Sequence, residues 1–311
     1  MAIGIKELKT RPELLAPGHR ACAGCTAPIV LRTAMKMTDA HLVGAIATGC
    51  MEVSTTIYPF NSWRCSMIHS AFENAAATIS GVEAAYRKLH RDGKVKERYK
   101  FIAFAGDGGT YDIGLQSLSG AMERGHDILY ICYDNQAYMN TGIQRSSATP
   151  LGAATMTSQA GSVKQGKAEN RKDLTQIMVH HNIPYVAQAA IHNIRDFMRK
   201  VERGLEVEGA AFINVLAPCH RGWRIGVDEG LESSRLAVET CFWPLYEVDG
   251  GVWKLNYKPK EKLPVSEWVL PQGRFAHLRK PENKPILDKL QEWTDRQWEH
   301  ILKMTGGQVA K

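Results

Sequence analysis

The run Tyr99-Lys-Phe-Ile-Ala-Phe-Ala is largely apolar and stops abruptly at Gly106-Asp107-Gly108-Gly109. That junction leaves few folds open. A short apolar run closed by turn residues suits a strand buried on both faces of a parallel sheet. The glycines that follow allow the backbone to approach an anion closely. Directly after them, Ile113, Leu115, Leu118, Ala121 and Met122 recur at helical spacing. The spacing predicts a helix over 111–124 whose free amides and positive dipole end face the same spot. Strand, glycine turn and helix start together make a seat for a diphosphate.

Asp107 adds a hard carboxylate oxygen to that seat. A second apolar run, Asp127-Ile-Leu-Tyr-Ile-Cys-Tyr, leads to Asn135, whose amide oxygen is another hard donor 28 residues after Asp107. Few protein oxygens, with the remainder from phosphate and water, is the chemistry of magnesium. Gly-Asp-Gly by itself occurs in plain turns. Two strand ends carrying oxygen donors, however, are what a crevice at the carboxyl edge of a parallel sheet requires.

The rest of the chain supports such a sheet. Predicted strands at 42–47, 100–105, 128–133, 184–188 and 211–216 alternate with predicted helices at 27–38, 72–90, 111–124, 172–182 and 192–205. That order predicts an α/β fold, a parallel sheet with helices on both faces. The helix over 72–90 is rich in small residues, which permit close approach to a sheet or a neighbouring subunit, and His69 and Glu73 before and at its start could line the site, although they suit a cap or surface role better. From about residue 225 the alternation gives way to a helical segment at 231–241, a hairpin around Asp249-Gly-Gly and a polar amphipathic helix at 285–305. The expected organisation is a binding domain over 1–224 and a C-terminal extension over 225–311 that contacts partners. With 311 residues and 44% apolar content the chain can bury a large core. The segment 146–170 has little hydrophobic pattern, and a loop of that length suits a cover over a site.

Seven cysteines stand at positions 22, 25, 50, 65, 132, 219 and 241. No N-terminal hydrophobic segment reads as a secretion signal, so a cytoplasmic chain with reduced thiols is expected. Cys22-Ala-Gly-Cys25 is a spacing shared by zinc sites, redox dithiols and iron-sulfur clusters. Cys50 and Cys219 each follow a predicted strand, and strand ends converge on one edge of a sheet. Cys65, Cys132 and Cys241 read as small buried hydrophobes.

From Gly106-Asp107-Gly108 through Asn135 the wording resembles the thiamine diphosphate and magnesium motif of thiamine-dependent enzymes. Its continuation, Asn140-Thr-Gly-Ile-Gln-Arg-Ser-Ser-Ala-Thr-Pro, resembles the beta subunit of pyruvate:ferredoxin oxidoreductases, within the 2-oxoacid:ferredoxin oxidoreductase superfamily. The resemblance implies a thiamine diphosphate-binding fold with Thr48, Gly106, Asp107, Gly108, Gly109, Asn135, Thr141 and Gly142 around the cofactor. It implies Mg2+ held by Asp107, Asn135 and the backbone carbonyl of Ala137, and Asn140 as a catalytic residue facing the substrate. Cys22, Cys25, Cys50 and Cys219 would hold a [4Fe-4S] cluster. The implied reaction is oxidative decarboxylation of a 2-oxo acid, with the cofactor stabilising the carbanion left by loss of carbon dioxide and the cluster taking electrons singly.

Relatives acting on larger or branched 2-oxo acids tend to carry Asn-Asn and Gly-Met-Thr-Gly where this chain has Asp134-Asn135 and Met139-Asn-Thr-Gly142, which favours a small substrate such as pyruvate. Two departures lie beside the cysteines. His220-Arg221-Gly222-Trp223 stands where Pro-Thr-Gly-Trp is usual, and Thr26-Ala27-Pro28 follows Cys25 in place of a glycine. An added His-Arg suits a more anionic substrate, which makes oxalate the alternative within the superfamily. A distant alternative is a zinc-stapled α/β nucleotide-binding module, although no Walker or dinucleotide glycine pattern is present.

The glutamate that activates thiamine, and the ferredoxin-like run of cysteines that carries electrons onward, are both missing from this wording. An alpha chain, a ferredoxin-like cluster subunit and ferredoxin itself are therefore the expected partners. The net charge of +7 comes from scattered Lys and Arg residues, which suits a solvated surface facing acidic proteins better than nucleic acid. No run is long and apolar enough to suggest a membrane span.

Overall fold

The computed structural model describes residues 4–310. Three strands, β4 (Leu129–Asp134), β5 (Tyr185–Ala190) and β6 (Ala211–Leu216), are buried along their whole length. β3 (Tyr99–Gly106) is buried at all but its end residues. Such strands satisfy their backbone groups only from neighbours on both sides. They lie at the centre of one eight-stranded sheet with β1 (His41–Ala47), β2 (Ser66–Ser70) and a hairpin of β7 (Tyr246–Asp249) and β8 (Val252–Leu255), in the order β2-β1-β3-β4-β6-β5-β7-β8. β2 through β5 in that order run parallel, and the hairpin adds antiparallel to β5.

Successive residues of each strand serve opposite faces. On one face Phe104, Ile131 and Ile213 pack with Val30 and Leu31 of the helix Ala27–Met35 and with Phe197 and Val201 of the helix Ile194–Glu206. On the other, Ala103, Ala105, Cys132 and Phe212 meet Ile79 of the helix Ala75–Arg91, Leu118 of the helix Leu115–Glu123 and Met178 of the helix Leu174–Val179. Alanines dominate the sheet's contribution to that second face, so Ala75 and Ala76 bring their helix close. Cys132 and Cys241 are buried and Cys65 is half-buried.

Three elements near the site depart from the sequence pattern, among them a short helix at Cys50–Thr55 that the pattern did not show. β2 escapes it because the edge strand Ser66–Ser70 is only partly covered and carries no apolar run. The helix expected over 111–124 begins instead as a wide π-helical turn, Gly108–Ile113, and resumes as α-helix at Leu115. At Gly114 a Cβ would lie 2.1 Å from the carbonyl oxygen of Gly109, so the wide turn depends on a residue with no side chain. The segment between β4 and the helix at Leu174 lacks long regular elements, yet it is anchored. Lys167 Nζ donates to the carbonyls of Thr149 at 2.6 Å and Ser147 at 3.2 Å.

Beyond residue 225 the chain returns across the carboxyl edge of the sheet. Trp268 meets Trp223 edge-on at 5.8 Å and stacks on Phe242 at 4.2 Å, and Phe275 completes this aromatic cluster. Among the described residues no helix is long and apolar enough to cross a membrane. Because Trp268 is fully buried, Trp268→Ala should lower the unfolding free energy by about 3–5 kcal/mol. Chemical denaturation followed by tryptophan fluorescence and circular dichroism measures this.

Candidate active site

From β1 the chain steps outward to β2 and then back past β1 to β3, so strand order reverses between β1 and β3. Crevices in parallel sheets open at such points, beyond the carboxyl ends of the strands. The register brings those ends level: Ala47 pairs with Ser70, Gly106 with Tyr133 and Asp134 with Leu216. Thr48-Gly-Cys50, Gly106-Asp107-Gly108, Asn135 and Pro218-Cys219 are therefore delivered to one edge.

The crevice between them is lined by Thr48, Gly106, Gly108, Gly109, Asn135 and Ala137, with Asn140 and Thr141 at its mouth. Gly142, with φ 100°, lies outside it in the exposed turn that follows. A Cβ on Gly109 would fall 2.8 Å from the carbonyl oxygen of Phe72, and one on Gly108 would enter the Tyr138 ring. Both positions thus leave bare backbone facing the crevice. Thr48 Oγ1 shares a 2.7 Å hydrogen bond with His69 Nε2 and donates to the carbonyl of Ser70 at 3.3 Å. His69, read from the sequence as a cap or surface residue, thus orients a lining hydroxyl, with Glu52 at 3.5 Å on its other nitrogen.

Asp107 lies below the crevice floor with no exposed surface. Its Oδ1 accepts from the Asn135 amide at 3.2 Å and its Oδ2 from Ser146 Oγ at 2.5 Å. Burial, reinforced by the charge of Asp134, pushes its pKa well above the usual carboxylate range. Asp134 is itself neutralised, by Arg171 at 2.9 Å and the Tyr111 hydroxyl at 2.6 Å. Gln136 adopts φ 68°, and this left-handed residue folds the carbonyl of Ala137 back toward Asn135. One end of the Asn135 side-chain amide then lies 2.8 Å from that carbonyl oxygen and 2.9 Å from Asp107 Oδ1.

That spacing has two uses. With its nitrogen inward, the amide donates to both oxygens. With its oxygen inward, the side-chain oxygen meets the Ala137 carbonyl and the Asp107 carboxylate, an arrangement that a cation stabilises. Edges near 2.9 Å match an octahedron with metal-oxygen bonds of about 2.0–2.1 Å. The donor set therefore fits a small hard dication.

A second cavity, of about 170 Å3, adjoins the first and is lined by Cys22, Cys25, Cys50 and Cys219. Burial pushes the Cys25 thiol up to about 11 and, together with the charges of the other three thiols, the Cys50 thiol up to about 12. Burial also raises Cys219, against which the Gly222 N–H donating to its Sγ at 3.4 Å works. Thiols so raised become ligands only when positive charge enters the cavity. Among the described residues no three His, Cys, Asp or Glu side chains gather closely enough for a single metal ion. The four thiols ring the space, which suits a polynuclear cluster better than one tetrahedral zinc with bonds of about 2.3 Å.

Thr26, one of the two departures beside the cysteines, ties the Cys22–Cys25 loop to the Cys219 loop by donating from Oγ1 to the Pro218 carbonyl at 2.9 Å. In the other departure, His220 is buried and lines the cysteine cavity, whereas Arg221 is exposed. Cys50, Asn135 and Asn140 line both cavities. Three participants escape a reading of the sequence: Tyr111, Arg171 and Arg274. Tyr111 could have been suspected from its place in the glycine turn. The two arginines carry no local signal, because their partners lie 37 and 138 residues away.

Residues 47–215 match the C-terminal TPP binding domain of thiamine pyrophosphate enzymes. The chain is 49% identical to pyruvate synthase subunit PorB of Thermotoga maritima over 98% of its own length and 97% of the relative's. It is 53% identical to PorB of Methanocaldococcus jannaschii, covering 92% and 95%, and 40% identical to ketoisovalerate oxidoreductase subunit VorB of Pyrococcus abyssi, covering 92% of each. The fold is shared with the 2-oxoglutarate:ferredoxin oxidoreductase of Magnetococcus marinus, at TM-score 0.57, 18% identity and coverage of 73% of this chain and 80% of that one. A thiamine-binding domain over the sheet edge and near full-length similarity to such subunits lead to one conclusion: the chain belongs to the PorB family of 2-oxoacid:ferredoxin oxidoreductase subunits.

Proposed function

We propose that this chain carries both thiamine diphosphate with Mg2+ and a [4Fe-4S] cluster, and that with its partners it decarboxylates pyruvate oxidatively and passes the electrons to ferredoxin. The observation that carries this reading is the shared wall: Cys50, Asn135 and Asn140 border the crevice and the cysteine cavity alike. A decarboxylating centre and a one-electron acceptor need to be that close. When bound, thiamine diphosphate supplies the electron sink for loss of carbon dioxide, and the cluster supplies a one-electron acceptor.

The residues divide the work. Asp107, the Asn135 side chain and the Ala137 carbonyl would hold Mg2+, while the backbone of Gly106, Gly108 and Gly109, with Thr48 and the Thr141-Gly142 turn, would embrace the diphosphate. Asn140, exposed at the mouth of both cavities, would donate a hydrogen bond to a substrate oxygen. Cys22, Cys25, Cys50 and Cys219 would hold the cluster. The names of the PorB relatives favour pyruvate.

Partner chains complete the centre on this reading: an alpha chain that brings the thiamine-activating glutamate and a ferredoxin-like cluster subunit, in the cytoplasm. Tyr58 and Phe60 stand 93% and 73% exposed near Ile57 in the wall of the cysteine cavity, and large exposed rings of this kind mark contact surfaces. The segment 225–311 is a further candidate for such contacts.

Anaerobic purification of the complex should yield iron, sulfide and thiamine together, with the cluster reduced by pyruvate and not by oxalate; zinc without iron or thiamine would refute the reading. Asp107→Ala should abolish Mg2+-dependent thiamine diphosphate binding in calorimetry while the iron content stays unchanged. Gly109→Ala, whose new Cβ would press on the Phe72 carbonyl, should weaken that binding by about tenfold or more, with the far-ultraviolet circular dichroism of the wild type retained.

A further inference from the structure

The C-terminal extension inserts one side chain behind both cavities. Arg274, in the 3-10 segment Gly273–Arg279, is 2% exposed. Its guanidinium lies over Trp223 at 4.1 Å from the ring centroid, with Phe275 at 5.0 Å and Trp268 at 5.8 Å. Nε donates to Gln272 Oε1 at 2.8 Å and Nη2 to Gln136 Oε1 at 2.6 Å. Both acceptors are neutral. Among the described residues no carboxylate comes within ion-pair distance of it, in contrast to Arg171, which pairs with Asp134 at 2.9 Å.

A buried guanidinium without a counterion is costly, so what lies around it is informative. Trp223 ends the four-residue helix capped by Cys219 and donates from Nε1 to the Asn135 carbonyl at 2.8 Å. Gln136 sits between Asn135 and Ala137. The groups that act electrostatically on Arg274 are Asp134, Cys219 and Asp107, and Arg274 in turn favours the thiolate of Cys219. Burial brings Arg274 down only to about 9, which keeps it charged at neutral pH.

We propose that Arg274 is a fixed buried cation whose counter-charge is the cysteine-held cluster, and that it favours the reduced form of that cluster. The inference rests on the reading that the four cysteines hold a [4Fe-4S] group. Adding one electron adds one negative charge to the cavity, and a nearby unscreened cation stabilises that state. A unit charge at roughly 10 Å in a protein interior changes such an equilibrium by about one order of magnitude. Arg274 touches neither substrate nor cofactor on this account. It tunes the centre from behind.

The test is the midpoint potential of the cluster in the anaerobically purified complex, followed by electron paramagnetic resonance during redox titration. Arg274→Met keeps bulk and removes charge. It should make the cluster about tenfold harder to reduce, a shift of about 59 mV to more negative potential for one electron. Gln272→Glu leaves the arginine in place, sets a carboxylate against it and should shift the potential in the same direction. Arg274→Lys retains the charge and should restore most of the wild-type value. A potential indifferent to both Arg274→Met and Gln272→Glu, with cluster content unchanged, overturns the inference alone. A wild-type complex without an iron-sulfur signal overturns the cysteine reading and this inference with it.

Discussion

The buried ion pair between Arg171 and Asp134 is the contact on which the site depends. Asp134 ends β4 and is wholly buried, and its two oxygens are shared among groups from three other parts of the chain. Arg171 at 2.9 Å comes from the end of the long loop, and the Tyr111 hydroxyl at 2.6 Å from the turn after β3. The Gln136 amide at 3.0 Å belongs to the turn that aims the Ala137 carbonyl. Asn214 of β6 joins through the same tyrosine hydroxyl at 2.7 Å. Removing one partner of such a pair leaves an uncompensated buried charge, at a cost of about 3–5 kcal/mol. Arg171 also stacks over Trp243 at 4.3 Å, so the core of the C-terminal segment is keyed to the same point.

With Asp134 neutralised, the charge of the other buried carboxylate is left for a ligand. Asp107 receives only an amide and a hydroxyl, neither of which carries a full positive charge. The two aspartates, both at strand ends and both at zero exposure, thus have opposite fates: one is held by a guanidinium and a tyrosine hydroxyl, the other is a carboxyl whose ionisation burial opposes until a cation arrives. The thiols show the same incompleteness on the far side of Asn135 and Asn140. Burial raises the Cys25, Cys50 and Cys219 thiols, which favours their protonated forms until positive charge arrives.

Much of this was legible in the residue pattern, and the exceptions have physical causes. The strand 211–216 was bounded correctly at both ends because it is apolar and covered on both faces. The edge strand Ser66–Ser70 was invisible, since a half-exposed strand has no apolar run to show. The turn after Gly106 was readable as a seat for an anion, but its π-helical form depends on how Gly114 meets the Gly109 carbonyl. For His69 the residue pattern favours a surface or capping role over lining the site; pairing of β1 with β2 is what sets it against Thr48.

By itself the sequence determined the alternation of strand and helix, the hard oxygen donors at two strand ends and the four thiols near three of the chain's turns. These follow from composition and period, which are local. Tertiary structure alone decided that the Asn135 amide lies within 2.9 Å of both the Ala137 carbonyl and Asp107, because a backbone carbonyl becomes a metal ligand only when the backbone dihedrals of Gln136 turn it inward. It alone decided that the thiols ring one cavity, and that Arg171 and Arg274 arrive behind the site across 37 and 138 residues. Strand register and aromatic packing select those neighbours, and neither leaves a mark on the residues nearby in the chain.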